Sequence, residues 1–176
     1  MSVTKTAPIA LPAVLALGSN LGDREAAIRS AVAEIDAVDG VTVTAASRLY
    51  ESAALKVTGV DAAAPAYLNA VVTVTSSLLP NELLSRLSEI EHRHGRVRAE
   101  RWDDRTLDID IVTYAGISVD SDDLRLPHPR AVDRAFVLVP WLELEPAAIL
   151  PGSGRVDELV QNLSDSVQPY SAEPLR

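Results

Sequence analysis

"RTLDIDIV", residues 105–112, sets Leu107, Ile109 and Ile111 in alternation with Asp108 and Asp110. Period two over a short run is the pattern of a β-strand with one oily face. Its other face then carries two carboxylates with Cα atoms about 6.6 Å apart, at a rise of ~3.3 Å per residue. Neighbouring carboxylates repel, and strand interiors disfavour Asp. A solvated sheet face accounts for such a pair equally well on its own, since exposed strand faces are commonly polar. A divalent cation is the other account. Residues i and i+2 of a strand aim oxygens at one point without loop entropy.

The flanking segments supply the remaining elements. "AVLAL" (13–17) predicts a short buried strand, and "GSNLGD" a turn into a helix over about 23–37 with Ala27, Ala31, Ile35 and Val38 on one face. Gly40 ends that helix. "VTVTAASRLYES" (41–52) and "YLNAVVTVTSS" (67–77) read as two strands of a central pair. Residues 53–66 between them have no clear period and are long for a connection, as mobile lids and disordered segments often are. Pro80 opens an amphipathic helix through Leu83, Leu84, Leu87 and Ile90, with Gly95 as its stop. Beyond the aspartate strand, 115–131 is irregular, 131–146 is apolar and helical until Pro140 breaks it, and 155–163 gives a last short helix. The order β-α-β-β-α-β predicts an α+β fold, a ferredoxin-like core whose mostly antiparallel sheet has helices packed on it in three layers, α/β/α. Residues 1–12 and 165–176 are expected as flexible tails on one catalytic domain, 13–164.

A chain of 176 residues with 47% hydrophobic and 23% charged residues fits one soluble domain. No apolar run approaches the ~20 residues of a membrane span, so no membrane is expected. The N-terminus lacks the pattern of a signal peptide, and without cysteine there is no disulfide, thiolate nucleophile or thiolate metal site. A cytoplasmic location follows as the default. The net charge of −9 disfavours nucleic acid, whose binding rests on neutralising phosphates.

The basic residues are uneven. Arg93, Arg96, Arg98, Arg101 and Arg105 crowd one stretch, and Glu91, Glu100, Asp103 and Asp104 do not cancel the strip from 93 to 101. A solvated charge run is the ordinary meaning of such a stretch. A local cationic patch on an acidic chain also suits a small anion, and guanidinium groups match phosphate oxygens in geometry. Arginines beside an Asp-x-Asp strand are what phosphoryl transfer requires. Mg²⁺ takes one or two carboxylates and completes its sphere with water and substrate phosphate. The only lysines, Lys5 and Lys56, follow no Gly-rich turn, so neither a Walker A nor a dinucleotide pattern is present.

Tyr50, Tyr67, Tyr114, Tyr170, Phe136, Trp102 and Trp141 are the whole aromatic set. Trp102 lies inside the arginine stretch, where it either covers a local patch or closes over a flat substrate. Asn69 heads a strand and offers amide donors and an acceptor to a heterocycle. His128, between two prolines, is a packing residue by default and a phosphate donor if the polyanion lies near it.

Taken together, "ALGSNLGDR" (16–24), "YLNAVV" (67–72), "IEHRHGRVRAERW" (90–102), "RTLDIDI" (105–111), "LPHPR" (126–130) and "RAFVLVPW" (134–141) resemble the 6-hydroxymethyl-7,8-dihydropterin pyrophosphokinases of folate biosynthesis. The similarity runs from about Val14 to Pro151. It implies an enzyme that moves the diphosphate of ATP to the hydroxymethyl group of the pterin and releases AMP. By that resemblance Asp108 and Asp110 hold two Mg²⁺ ions, and Arg96 and Arg105 clamp phosphates with help from Arg98 and Arg101. His128 and Arg134 contact the triphosphate from the other side, Glu91 lies near the nucleotide, and Ile111 offers its backbone to adenine. Tyr67, Asn69, Trp102 and Phe136 match the pterin pocket. ATP and the pterin are the expected partners of a monomer.

Three departures stand out. Trp102-Asp103-Asp104-Arg105 replaces the usual Trp-Gly-Pro-Arg, which predicts altered loop closing with the chemistry kept. Ser52-Ala53-Ala54-Leu55 and an alanine-rich run replace a Thr-Pro or Glu-Pro segment, which puts pterin contacts there in question. Pro129 follows the motif histidine where some relatives carry tyrosine. Two other classes compete: a metal-dependent nuclease, against which the net charge counts, and a non-catalytic nucleotide-binding module, which leaves Trp102 and Asn69 without a role.

Overall fold

Residues 13–17 are apolar without interruption, too continuous for a strand with one wet face, and the fold buries them on both. The computed structural model describes residues 9–53, 55–56, 59–60, 65–95 and 106–176. In chain order the elements are β1 (Leu11–Ser19), α1 (Arg24–Asp36), β2 (Val41–Ala46), β3 (Tyr50–Ser52), β4 (Leu55–Lys56), β5 (Gly59–Val60), β6 (Tyr67–Ser76), α2 (Pro80–Arg93) and β7 (Asp108–Tyr114). There follow β8 (Val119–Asp120), β9 (Arg125–Leu126), a 3-10 turn (Ala131–Asp133), α3 (Ala135–Leu144), β10 (Ile149–Leu150), β11 (Gly154–Arg155), α4 (Val156–Gln161) and β12 (Gln168–Pro169).

Strand β1 lies between β6 and β7, antiparallel to both. β6 pairs in turn with β2 and β3, and the main sheet runs β12-β3-β6-β1-β7. β1 and β2 are therefore parallel with β6 between them, the split β-α-β of an α+β, ferredoxin-like unit. Alternation along β1 feeds two cores. Ala13, Leu15 and Leu17 pack with Ile28 and Ile35 of α1 and Leu83, Leu87 and Ile90 of α2. Val14 and Ala16 point the other way, onto Val71, Val112 and the α3 residues Val137, Leu138 and Trp141. Helices thus cover both faces. Fully burying one such Leu or Ile contributes about 1.5–3 kcal/mol, and the first cluster holds most of the fully buried large side chains.

Three features differ from the sequence reading. The strand expected over 41–52 is two strands, β2 ending at Ala46 and β3 resuming the pairing with β6 at Tyr50, and β2 itself shifts register between Val43 and Ala45. Ser47 then bridges the break: its N–H bonds the Val71 carbonyl (2.9 Å), and its Oγ accepts the Val71 N–H (3.0 Å). The helix expected to stop at Pro140 continues to Leu144. The proline removes one donor, the one that would meet the Phe136 carbonyl, and packing of Val137, Leu138 and Trp141 against the sheet outweighs that single bond. The C-terminal residues carry defined contacts. Asp165 Oδ2 accepts the Ala135 N–H at the start of α3 (3.1 Å), and β12 pairs with β3. Arg29 donates to the carbonyls of Glu173 and Pro174, and Arg176 reaches Asp36 at 3.3 Å.

The turn from α1 into β2 depends on Gly40. Its φ is +84°, and a Cβ there would stand 2.6 Å from Ser77 Oγ, whose residue donates backbone and hydroxyl bonds to the Gly40 carbonyl. Gly116 also has positive φ (+69°) but open space around it. Gly40→Ala should therefore cost about 2 kcal/mol, conformational strain plus contact, against about 1 for Gly116→Ala. At roughly 2–4 °C per kcal/mol for a chain of this size, thermal melts separate the two; equal shifts would refute the contact at Ser77.

Candidate active site

Residues directly opposite one another in an antiparallel sheet share a face. One such row crosses the sheet as Tyr50, Asn69, Gly18, Asp108, and the next holds Val71, Ala16, Asp110. Ala16 and Val71 belong to the core beneath α3, so the first row lies where that core gives out. Between Asn69 and Asp108 the sheet is bare backbone. A Cβ on Gly18 would lie 3.4 Å from Asn69 Oδ1 and 3.9 Å from Tyr67 Cδ1. With strands ~4.8 Å apart, Asn69 and Asp108 stand about 9.5 Å from each other across this floor. A glycine inside a strand commonly marks the close approach of another group, and the "ALGSN" run carries that signal.

Strand β7 ends the sheet and is held from outside it. Glu91 on α2 is 2% exposed, and its Oε1 accepts the Ile109 N–H at 2.7 Å. This carboxylate, expected near the nucleotide, thus grips the backbone between the two aspartates and fixes their aim. Because the Ile109 N–H points away from β1, the two-residue alternation turns the Ile111 N–H and carbonyl to the same edge. The Ile111 side chain is buried in the core.

Beyond Ile111 the pairing with β1 jumps from Leu15↔Ile111 to Val14↔Thr113, which makes Val112 the extra residue of a bulge. Its carbonyl accepts the His128 N–H at 2.8 Å. His128 is held there with Nε2 3.6 Å from Asp110 Oδ2, while its Nδ1 accepts the Arg130 N–H at 3.2 Å. The neutral ring accordingly carries its proton on Nε2, toward Asp110. Burial pushes the His128 pKa below the ordinary imidazole value; Asp110 opposes this and Arg134 adds to it. Arg134, just ahead of α3, sets NH1 3.3 Å from Asp110 Oδ2 and its guanidinium carbon 5.4 Å from the centroid of the Phe136 ring, a cation–π contact.

On the other side of Gly18, Asn69 is 3% exposed. Its Nδ2 donates to Ser52 Oγ (2.9 Å) and faces the Tyr50 carbonyl (3.3 Å) and the Tyr67 carbonyl (3.5 Å). Tyr50 donates its hydroxyl to Glu143 of α3 (2.9 Å); burial, then this carboxylate, raises the Tyr50 pKa to about 12. Arg48 also reaches Glu143, at 3.3 Å, so β3 is tied to α3.

The structure thus gathers Asp108, Asp110, Glu91, Ile111, His128, Arg134 and Phe136 around the end of β7, with Tyr67 and Asn69 on the same face two strands away. Arg96, Arg98, Arg101, Trp102 and Arg105 lie outside the described residues. Gly18 and the Val112 bulge were given no role from the sequence, where Tyr50 figures only among the aromatics and Ser52 only in a departure from the family's usual segment. A depression of about 440 Å³ lined by Asn20, Leu21, Gly22, Arg24, Glu51, Pro65 and Ala66 includes none of the gathered side chains. Its arginine is already bonded to Glu51 and the Ala66 carbonyl.

The donor set suits a hard cation. Asp108 and Asp110 offer oxygens from one face of one strand, and Asp110 is 36% exposed in its side chain. Among the described residues no three His, Cys, Asp or Glu groups form a metal cage. Two carboxylates with room for water and phosphate fit Mg²⁺, whereas zinc would want a closed set of N and S ligands.

Comparison with known proteins bears on this geometry directly. Residues 14–146 match the family model described as 7,8-dihydro-6-hydroxymethylpterin-pyrophosphokinase (HPPK). A 2-amino-4-hydroxy-6-hydroxymethyldihydropteridine pyrophosphokinase of Bacillus subtilis is 42% identical over 132 residues, 75% of this chain and 77% of that one. Its namesake from Methylorubrum extorquens is 40% identical over 154 residues, covering 88% and 94%. The namesake from Mycobacterium leprae is 38% identical over 174 residues, covering 93% and 86%. Among solved structures, an HPPK-DHPS of Plasmodium falciparum superposes with a TM-score of 0.67 at 13% identity, a likeness of fold. It covers 89% of this chain but 46% of that longer one. With the family model matched over most of its length and relatives near 40% identity, the chain belongs to the 7,8-dihydro-6-hydroxymethylpterin-pyrophosphokinase family.

Proposed function

We propose that this chain moves the β,γ-diphosphate of ATP to the hydroxymethyl oxygen of 6-hydroxymethyl-7,8-dihydropterin in folate biosynthesis, on the sheet face between Asn69 and Asp110. The observation that carries the reading is the two-part floor. An acidic half at Asp108 and Asp110 suits a metal–polyphosphate. An amide half at Asn69 suits the edge of a flat heterocycle, and bare Gly18 joins the two. The hydroxymethyl oxygen attacks the β-phosphorus, the bond from that phosphorus to the α-phosphate oxygen breaks, AMP leaves, and the hydroxyl proton is released.

Asp108 and Asp110 would hold the two Mg²⁺ ions that accompany ATP. Mg²⁺ held by these two carboxylates would supply the positive charge that offsets the polyphosphate and polarises the phosphorus under attack. Glu91 keeps the strand aimed through the Ile109 N–H. His128 donates from Nε2 and Arg134 supplies fixed positive charge on the side of α3. Ile111 turns its backbone polar groups toward the adenine. Asn69 meets the pterin edge, with Tyr67, Trp102 and Phe136 around the ring. On the family resemblance Arg96 and Arg105, with Arg98 and Arg101, clamp the phosphates. The reading assigns no dedicated general base; orientation and charge neutralisation supply the rate. It takes the enzyme as a cytoplasmic monomer whose partners are its two substrates. Among the described residues no helix is long and apolar enough to cross a membrane.

Incubation with MgATP and the pterin should give pterin-dependent AMP by chromatography, abolished by chelation of Mg²⁺. Asp108→Asn and Asp110→Asn should each lower kcat by roughly 10³-fold or more with the melting temperature retained, the scale of losing a preorganised charge partner. ADP as product, or turnover surviving in Asp110→Asn, would sink the assignment, and hydrolysis of oligonucleotides would favour a nuclease.

A second prediction concerns His128. Its depressed pKa means the folded state binds fewer protons than the unfolded chain between that value and the ordinary 6.5. Stability of the metal-free protein should therefore fall as pH drops through 6.5, and His128→Gln should remove that component. Imidazole NMR should show His128 titrating below 6.5; a midpoint at or above it would refute the burial argument.

A further inference from the structure

We infer that Ser52 is a positioning residue that makes Asn69 an acceptor, so that this side of the site selects a ligand presenting an N–H. The inference rests on the pterin reading of the site. An Asn side chain fits a given space in two orientations, related by exchange of its oxygen and nitrogen. Here the surroundings decide. The amide end facing β3 meets the carbonyls of Tyr50 and Tyr67, at 3.3 and 3.5 Å, and backbone carbonyls can only accept. That end is therefore Nδ2.

Of its three contacts the shortest is the one to Ser52 Oγ, at 2.9 Å. The two carbonyl contacts are long for N–H···O bonds, so the hydroxyl does most to hold the amide plane. The opposite end, Oδ1, is turned over Gly18, 3.4 Å from where a Cβ would stand. Among the described residues no donor reaches it. Among the described residues Ser19 Oγ is the one buried side-chain polar atom without a partner, so Asn69 Oδ1 opens onto the uncovered face, where a ligand N–H takes the place of water. A ring N–H or an exocyclic amine of a reduced pterin does so; a ring carbonyl or an unprotonated ring nitrogen would set acceptor against acceptor. β3 is well placed to enforce this. β12 pairs along it, Tyr50 is bonded to Glu143, and Ser52 lies opposite Tyr67.

Ser52→Ala and Ser52→Thr test the inference. In Ser52→Ala the amide keeps only its long contacts. KM and Kd for the pterin should rise about 5–20-fold, while KM for MgATP stays within about twofold and the melting temperature within ~2 °C. Ser52→Thr, which keeps the hydroxyl, should restore the pterin values. Wild-type turnover with an unchanged pterin KM in Ser52→Ala overturns the inference alone. So does a parallel rise in both KM values with a lowered melting temperature, which would mark a structural role. A wild-type chain that neither binds the pterin nor makes AMP overturns the reading of the site, and this inference with it.

Discussion

The structure turns on a single strand that must bury both its faces and yet leave one end of one face open. β1 is apolar from Ala13 to Leu17, and on one side Ala13, Leu15 and Leu17 are covered by α1 and α2. On the other side the core beneath α3 reaches only to the row of Val71, Ala16 and Asp110. Where it ends, the sheet shows the polar side chains Asn69, Asp108 and Asp110 with Gly18 between them. The site is the uncovered part of a face otherwise used for packing. Its floor shares the rigidity of the core, because Gly18, Asn69, Asp108 and Asp110 each sit within two positions of a buried strand residue, Leu17, Leu68, Ile109 or Val112.

Electrostatics at this end of the sheet explains why so many anchors converge on β7. Glu91, Asp108 and Asp110 bring three carboxylates to one strand–helix contact in a chain of net charge −9. Each has a different answer. Glu91 is deeply buried and takes a backbone N–H, which a carboxylate needs when water is excluded. Asp110 faces the Arg134 guanidinium and the Nε2 of a His128 whose burial favours its neutral form. Asp108 lies beside Gly18, with no side chain from β1 to shield it. On the proposed reading, a polyphosphate that brings its own Mg²⁺ would relieve the repulsion between Asp108 and Asp110.

Much of this was legible in the sequence, and what was not has a common cause. Alternation gave the strands, glycine and proline gave helix ends, and the element order gave the layered α+β fold. Asp108 and Asp110 share a face as the two-residue period requires, and Asn69 lies on it as well. The Val112 bulge was hidden because a bulge is fixed by pairing with β1, not by the strand's own composition. The same holds for the β2–β6 register slip between Val43 and Ala45 and for the break at Ser47 that follows it. Pro140 reads as a helix breaker until α3 is seen packed against the sheet. Glu91 could be placed near the site from its motif, but its partner is a backbone amide on another element, and no periodicity reports that. Ser52 was noted only as a departure from the family's usual segment, since its importance lies in what Asn69 does with its amide.

The two edges of the sheet complete the argument. An edge strand presents unpaired N–H and carbonyl groups and invites unwanted pairing. At β3 the chain closes the edge with its own strand: β12 pairs there, and the Tyr170 N–H extends the contact to the Leu49 carbonyl at 2.8 Å. At β7 no strand is added. The edge is met by single bonds instead, the Glu91 carboxylate on the Ile109 N–H and the His128 N–H on the Val112 carbonyl. Between these anchors lies Ile111, with its backbone turned outward and its side chain in the core. A strand in that place would seal the backbone positions that the family resemblance gives to adenine. Two point contacts anchor the strand on either side of Ile111 and leave the interval open. On the proposed reading the difference between the two edges follows a division of labour, with closure beside the Asn69 assigned to the pterin and access beside the Ile111 backbone assigned to adenine.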